Sequence, residues 1–184
     1  MARKPLPLRY YGDPVLRKRA EPVASVGSEV RDLISDLFDT MYRERGIGLA
    51  APQVGISQRI FVVDVEGDEG ERVKLALVNP RLARSSGSVV GEEGCLSIPG
   101  IHADVRRYAE VTFEALDEHG ALLTVDAGGL LARALQHELD HLDGVLFIDR
   151  VSAIRRKLLE SKLARMLTGD SEASESGASA SPSF

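Results

Sequence analysis

Five consecutive residues, His137-Glu138-Leu139-Asp140-His141, constrain this chain more than any others, because their spacing acquires a meaning on a helix. At about 100° per residue two histidines four apart stack on one face, where both imidazoles can reach a single metal ion, and the intervening glutamate lies beside them. The bland alternative is an ordinary, partly buried pair of histidines. The helix itself is well supported. Leu130 to Gln136 are strong helix formers, and Leu131, Ala134, Leu135, Leu139 and Leu142 recur at three- and four-residue spacing as an apolar stripe beside the histidines. Gly128-Gly129 and Gly144 supply the breaks before and after.

A metal site of this kind needs a third protein ligand, and the chain contains one cysteine. Cys95 lies in Glu92-Glu93-Gly94-Cys95-Leu96-Ser97, read as a glycine-hinged turn that exposes the sulfur and the following backbone N–H groups. A lone cysteine is most often a small core residue. Beside two histidines it becomes a thiolate ligand, and the resulting Cys-His-His sphere leaves one position open, the arrangement of a catalytic rather than a structural site. A third segment, Gly46-Ile47-Gly48-Leu49-Ala50-Ala51-Pro52-Gln53, lets another chain approach its backbone closely and ends in an amide able to donate to a carbonyl oxygen. Alone it is more commonly a small-residue packing segment with a surface glutamine.

Taken together and in this order, Gly46 to Gln53, Glu93-Gly94-Cys95-Leu96-Ser97 and Gln136-His137-Glu138-Leu139-Asp140-His141 resemble the three motifs of the peptide deformylases, metalloenzymes that remove the N-formyl group from newly made polypeptides. The likeness runs from Tyr11-Gly12-Asp13-Pro14-Val15-Leu16 to about Val151. It implies Cys95, His137 and His141 as metal ligands and Glu138 as general acid and base. Gln53 and the N–H of Leu96 would hold the formyl oxygen, and the backbone at Gly48 the first substrate residue. Ile47 and Leu130 would line the methionine pocket. The resemblance implies ferrous iron (Fe2+) as the usual native ion, with Zn2+, Ni2+ or Co2+ able to occupy the site; spacing alone favours zinc. N-formylmethionyl nascent polypeptides are the implied partners.

Neighbouring residues carry two readings each. Asp140 is a group that fixes a histidine or pairs with an arginine, or else an exposed helix carboxylate. Arg133, one turn before His137, lines a substrate groove or is a solvated rim arginine. Glu93 clamps the turn of Cys95 or binds substrate. The sequence departs from some relatives after the cysteine motif: where they place a substrate-contacting arginine, the stretch here is Pro99-Gly100-Ile101-His102-Ala103-Asp104, with His102, Arg106 and Arg107 as substitutes.

Length and composition fit one α+β domain. A chain of 184 residues, 43% hydrophobic, can bury a single ordinary core. Val30, Leu33, Ile34, Leu37, Phe38 and Met41 form the stripe of a helix capped by Ser28 and ending near Gly46. Ile60 to Val65 and Leu75 to Asn79 read as strands joined through the acidic loop Glu66 to Glu71, and Val111 to Leu116 and Leu122 to Val125 as a second hairpin with His119 in its turn. The resemblance adds antiparallel sheets packed around the motif helix. No apolar run approaches a membrane span, and Met1 to Pro5 leads into no signal-peptide core, so the chain is read as cytoplasmic, where a lone cysteine also fits.

Residues 1–168 read as one catalytic domain and 169–184 as a disordered tail rich in serine, alanine and glycine. From Arg150 to Arg165 a helix carries six basic residues against Glu160. Its bland reading is a solvated face; because the resembled family acts on chains leaving the ribosome, the other reading is docking to ribosomal RNA. Two rival functions are carried forward. One is a zinc peptidase with Glu160 as third ligand, the other a metal- or nascent-chain-binding module without turnover.

Overall fold

The run Ile60-Phe61-Val62-Val63-Asp64-Val65 has almost no polar face to offer water, so it requires cover on both sides. In the computed structural model, which describes residues 5–67 and 70–169, it forms a strand, β2 (Ile60–Glu66), in which every residue but Glu66 is buried. Phe61, Val63 and Val65 pack with Ala132, Ala134, Leu135 and Leu142 of the motif helix, α2 (Gly129–Leu142). Ile60 and Val62 pack on the opposite face with Ile34, Leu37, Phe38 and Met41 of α1 (Ser28–Arg43). The two helices thus sandwich the sheet.

That sheet is antiparallel, in the order β1-β2-β3-β6-β7, where β1 is Gly48–Ala50, β3 Arg72–Ser86, β6 Glu110–Leu116 and β7 Leu122–Ala127. Both expected hairpins form, Ile60 opposite Val78 through Glu66 opposite Arg72, and Val111 opposite Ala127 through Leu116 opposite Leu122. His119 is an exposed turn residue whose N–H donates to Asp117. Strand β3 extends well past Asn79, because its second half pairs with β6 around two register shifts. The α+β class and the central motif helix are as the sequence indicates.

A second ribbon, β4 (Val89–Cys95) with β5 (Ile98–Arg107), stands apart from this sheet. Its inner face and the C-terminal helix α3 (Ala153–Thr168) share a cluster that includes Cys95, Ile98, Ile101, Val105, Phe147, Leu159 and Leu163. The ribbon places Cys95 beside α2. Cys95 is therefore the last residue of a strand and buried, not carried on a turn that exposes its sulfur.

Two helix boundaries also differ from expectation. Gly27 occupies the cap of α1 with no side-chain cap bond, and Ser28 is already its first helical residue. The C-terminal helix starts at Ala153, capped by Ser152, whose hydroxyl accepts from the Arg155 N–H at 3.2 Å. Arg150 lies outside it. Gly144 ends the turn after α2 at φ +73°, and a Cβ there would stand 2.6 Å from the Arg17 carbonyl oxygen, so both conformation and space demand glycine. The tail expected from Gly169 onward lies, after its first residue, outside the described residues.

Asp149 ties the N-terminal segment to this C-terminal region: it accepts from the Leu146 N–H at 2.9 Å, from Arg156 at 2.8 Å and from Arg17 at 2.5 Å. Burial pushes its carboxyl upward, but the Arg17 bond and the other two donors outweigh burial and leave it below the usual carboxylate range. A carboxyl depressed in the folded state stabilises above its unfolded pKa and loses that contribution as pH falls through the folded value. Asp149→Asn is therefore expected to unfold at lower denaturant at neutral pH, and to show a flatter loss of stability on acidification below about pH 4.

Candidate metal centre

The site is made where three elements meet: the first turn beyond α1 with β1, the end of β4, and the middle of α2. On α2 the four-residue spacing brings the rings of His137 and His141 to a centroid distance of 4.9 Å, nearly perpendicular, with their Nε2 atoms 3.2 Å apart. Across from them the Cys95 sulfur stands 3.3 Å from His141 Nε2. One ligand atom from each residue lies within 4.8 Å of the other two, and all three side chains are buried.

This donor set fits a metal ion. Ligand atoms that share an ion at the usual zinc distances of about 2.0–2.3 Å lie roughly 3.3–3.6 Å from one another. The Nε2 atoms of His137 and His141 stand 3.2 Å apart and the Cys95 sulfur 3.3 Å from His141 Nε2, close to that separation. Burial, reinforced by His137 and Arg107, keeps the His141 imidazole well below its usual pKa and hence neutral. Burial also pushes the Cys95 thiol up to about 12. A cation in contact reverses that preference and makes the thiolate a ligand.

Beside the ligands stands Glu138, fully buried, with no hydrogen-bond partner for either carboxylate oxygen among the described residues. Burial first, and then repulsion from Glu93 and Asp140, raises its pKa well above the usual carboxylate value. A buried acid without partners costs free energy, and such groups concentrate at working sites. Space was made for it: a Cβ on Gly48 would come within 2.4 Å of Glu138 Oε1. Gln53 is buried as well, not a surface glutamine. Its Oε1 accepts from the Ala50 N–H at 2.9 Å, which turns Nε2 toward Ser97 Oγ at 3.2 Å and Cys95 Sγ at 3.5 Å.

Behind the ligands lies a dense charged layer. Glu93, with no exposure, accepts from His137 Nδ1 at 2.9 Å, from Arg107 Nε and Nη2 at 2.8 and 2.9 Å, and from Arg133 Nη1 at 2.8 Å. Burial pushes Glu93 upward, but the Arg107 and His137 bonds outweigh it and keep it ionised. Because Nδ1 donates to Glu93, the Nε2 lone pair of His137 is left to face Cys95 and His141. Asp140 takes Arg107 Nη1 at 2.6 Å and the Arg150 fork at 2.6 Å for both contacts.

These contacts correct several readings. Arg133 is no solvated rim arginine: it is buried, and besides Glu93 it donates to the carbonyls of Gly91, Val89 and Val105. Asp140 is no exposed helix carboxylate. Arg107 is committed to Glu93 and Asp140, while the half-buried His102 and the exposed Arg106 remain free of that layer. Arg150, counted with the docking helix, belongs to this network instead. Ile47 and Leu130 are half-buried and border one apolar cluster, and Leu96 is half-buried and borders another. Glu160 is exposed on α3 and lies outside the ligand group. Ser97 and the Arg107–Asp140–Arg150 chain escaped the sequence reading. Alternation along β5, Ile101, Ala103, Val105, was the signal that Arg107 points inward.

A buried Cys-His-His set with an unpartnered glutamate beside it, on the helix of an antiparallel α+β fold, defines a metal-dependent hydrolase. Residues 5–157 match the family of polypeptide deformylases. The peptide deformylase of Thermodesulfovibrio yellowstonii is 44% identical over 157 residues, 85% of this chain and 95% of that one. Among solved structures, a Legionella pneumophila peptide deformylase superposes with a TM-score of 0.81 at 42% identity, covering 91% of this chain and 98% of its own. A peptide deformylase from Synechococcus elongatus, crystallised with actinonin, gives 0.80 at 45% identity over 88% of this chain and 90% of its own. The chain belongs to the polypeptide deformylase family, enzymes that hydrolyse the N-formyl group from newly made polypeptides.

Removing one partner of a buried ion pair strands the other, at a cost of about 3–5 kcal/mol. Arg107→Met takes two bonds from Glu93 and one from Asp140, which keep Arg133 with His137 and the Arg150 fork, and is expected to lose up to that order of stability in denaturant unfolding. Arg150→Ala, whose side chain is 45% exposed, should lose much less.

Proposed function

We infer that Cys95, His137 and His141 hold one divalent metal ion, ferrous iron (Fe2+) in the cell with Zn2+, Ni2+ or Co2+ as possible occupants, and that Glu138 performs the proton transfers of deformylation. The observation that carries this reading is the buried, unpartnered carboxyl of Glu138 beside a convergent Cys-His-His set. When bound, such an ion supplies Lewis acidity toward the formyl oxygen and makes hydroxide available at neutral pH.

The remaining work falls to the chain. Glu138, with its raised pKa, takes a proton from water as attack on the formyl carbon begins and delivers it to the departing amine, so that formate and a free N-terminus result. Charge that develops on the formyl oxygen is met by the Gln53 amide, already aimed by its bond from Ala50, and by the Leu96 N–H. The backbone of Gly48 aligns the first substrate residue, and Ile47 and Leu130 receive its methionine side chain. Glu93 and Arg133, buried and committed to each other, support the site from behind the ligands instead of reaching the substrate.

In this reading residues 1–168 act as one catalytic domain in the cytoplasm, and N-formylmethionyl nascent chains are its substrates. No helix among the described residues is long and apolar enough to cross a membrane. The exposed face of α3 combines Lys157, Lys162 and Arg165 with Ile154 and Leu158, which supports docking near ribosomal RNA as nascent chains emerge. Charge reversal at Lys157, Lys162 and Arg165 should then weaken cosedimentation with ribosomes, and unchanged sedimentation would remove the docking role.

The catalytic assignment is tested by formate release from a short N-formylmethionyl peptide, with protein loaded anaerobically with ferrous iron. Glu138→Gln should retain its metal and lose roughly 10²–10⁴-fold in kcat. Equal turnover by the variant would contradict the role of Glu138. A metal-loaded wild type without turnover would favour the binding-module reading.

A further inference from the structure

Asp64 interrupts an apolar row. Along β2, Ile60 and Val62 face α1, and alternation gives Asp64 the next place in that row. Its side chain is only 3% exposed, and a carboxylate there is costly unless it is paired. Two partners meet it. Arg72, near the start of β3, donates through Nε and Nη2 at 2.7 and 2.8 Å, and the Tyr42 hydroxyl, from the last turn of α1, donates to Oδ2. The Arg72 bonds hold the carboxyl below its usual range. Lys74 sits 4.3 Å from the ring centroid of Phe38, which stacks on Tyr42, so the tyrosine is also held from its ring side.

The main chain of the same residue does something different. The Asp64 N–H donates to the Ile47 carbonyl at 2.9 Å, and the preceding residue, Val63, is the register partner of Gly48. The connection from α1 to β1 therefore leaves Tyr42, which the Asp64 side chain holds, and arrives at Ile47, which the Asp64 backbone holds. Between them the chain turns tightly, with Arg45 at φ +60° and the Gly46 N–H bonded to the Met41 carbonyl at 2.9 Å. One residue pins both ends. The next residue after this connection is Gly48, packed so closely on Glu138 that no Cβ fits between them.

We propose that Asp64, through Tyr42 and Arg72, is the positioning residue that sets the Gly46–Gly48 backbone relative to Glu138, and with it the alignment of the substrate's first residue. This rests on the reading that the Gly48 backbone holds that residue. None of the three side chains touches the reacting atoms. Their effect is geometric, and a displaced backbone group binds the peptide less well in the ground state and the transition state alike, which raises KM more than it lowers kcat. A loosened clasp weakens alignment of the peptide while leaving the metal ligands, which sit on α2 and β4, in place.

The test compares wild type, Tyr42→Phe and Asp64→Asn. Tyr42→Phe keeps the ring and removes the bond; Asp64→Asn keeps an acceptor and removes the charge. For each, bound metal, melting temperature, kcat and KM are measured on an N-formylmethionyl tripeptide and on its analogue with an ester after methionine. Tyr42→Phe is expected to raise KM for the peptide roughly five- to twentyfold, with kcat within about twofold, and to narrow the preference for peptide over ester. Asp64→Asn should fall between the two. A lowered melting temperature with KM unchanged in Tyr42→Phe would overturn the proposal and leave a purely structural clasp. If the wild type itself treats peptide and ester alike, the Gly48 reading fails, and the proposal falls with it.

Discussion

The carboxylate of Glu93 is the constraint on which the rest of the site depends. It is wholly buried, accepts from Arg107, Arg133 and His137, and stays ionised because those donors outweigh its desolvation. By accepting the hydrogen bond of the His137 Nδ1–H it selects the tautomer that leaves the Nε2 lone pair free, and it does so from β4, the strand that ends in Cys95. One residue thereby couples two ligands on different elements. Buried charge of this kind contributes little net stability against an apolar replacement. Its return here is definition of geometry.

The layer behind it extends that logic. Arg107 reaches from β5 to both Glu93 and Asp140, and Asp140 reaches on to Arg150, so the ribbon, the motif helix and the entry to α3 share one set of charges. The sheet meanwhile presents β1 and Gly48 to the opposite side of Glu138 through Asp64. The two halves of the site are thus fixed by separate devices, one charged and behind the ligands, the other a clasp at the edge of the sheet. Glu138 stands between them without a partner of its own.

What the sequence revealed follows from locality. The motif helix, the stripe of α1 and the two hairpins were legible because periodicity of 3.6 or 2 over a few residues declares them. The ribbon β4–β5 was not, since Gly91-Glu92-Glu93-Gly94 has little intrinsic preference for a strand and is made one by pairing and by Arg133, which fills the space above Gly91. The convergence of Cys95 with His137 and His141, more than forty residues apart, is contained in no local pattern; it was inferred from the need of a two-histidine half-site for a third ligand, and motif resemblance added to that. Charges misled most. Arg133 and Asp140 each carried a solvent reading beside an interior one and Arg150 was counted with the C-terminal helix, and only the fold shows Arg133 on Glu93 and Arg150 on Asp140.

The most direct measurement is an anaerobic titration of metal-free protein with Co2+ against a competing chelator, for the wild type and Glu93→Gln, with folding verified by circular dichroism. One ion per chain with thiolate ligation is expected in the wild type, and an affinity about 10–100-fold weaker in the folded variant, whose glutamine keeps the shape but not the charge that orients His137. Wild-type affinity in Glu93→Gln would contradict the claim that this carboxylate sets the ligand geometry.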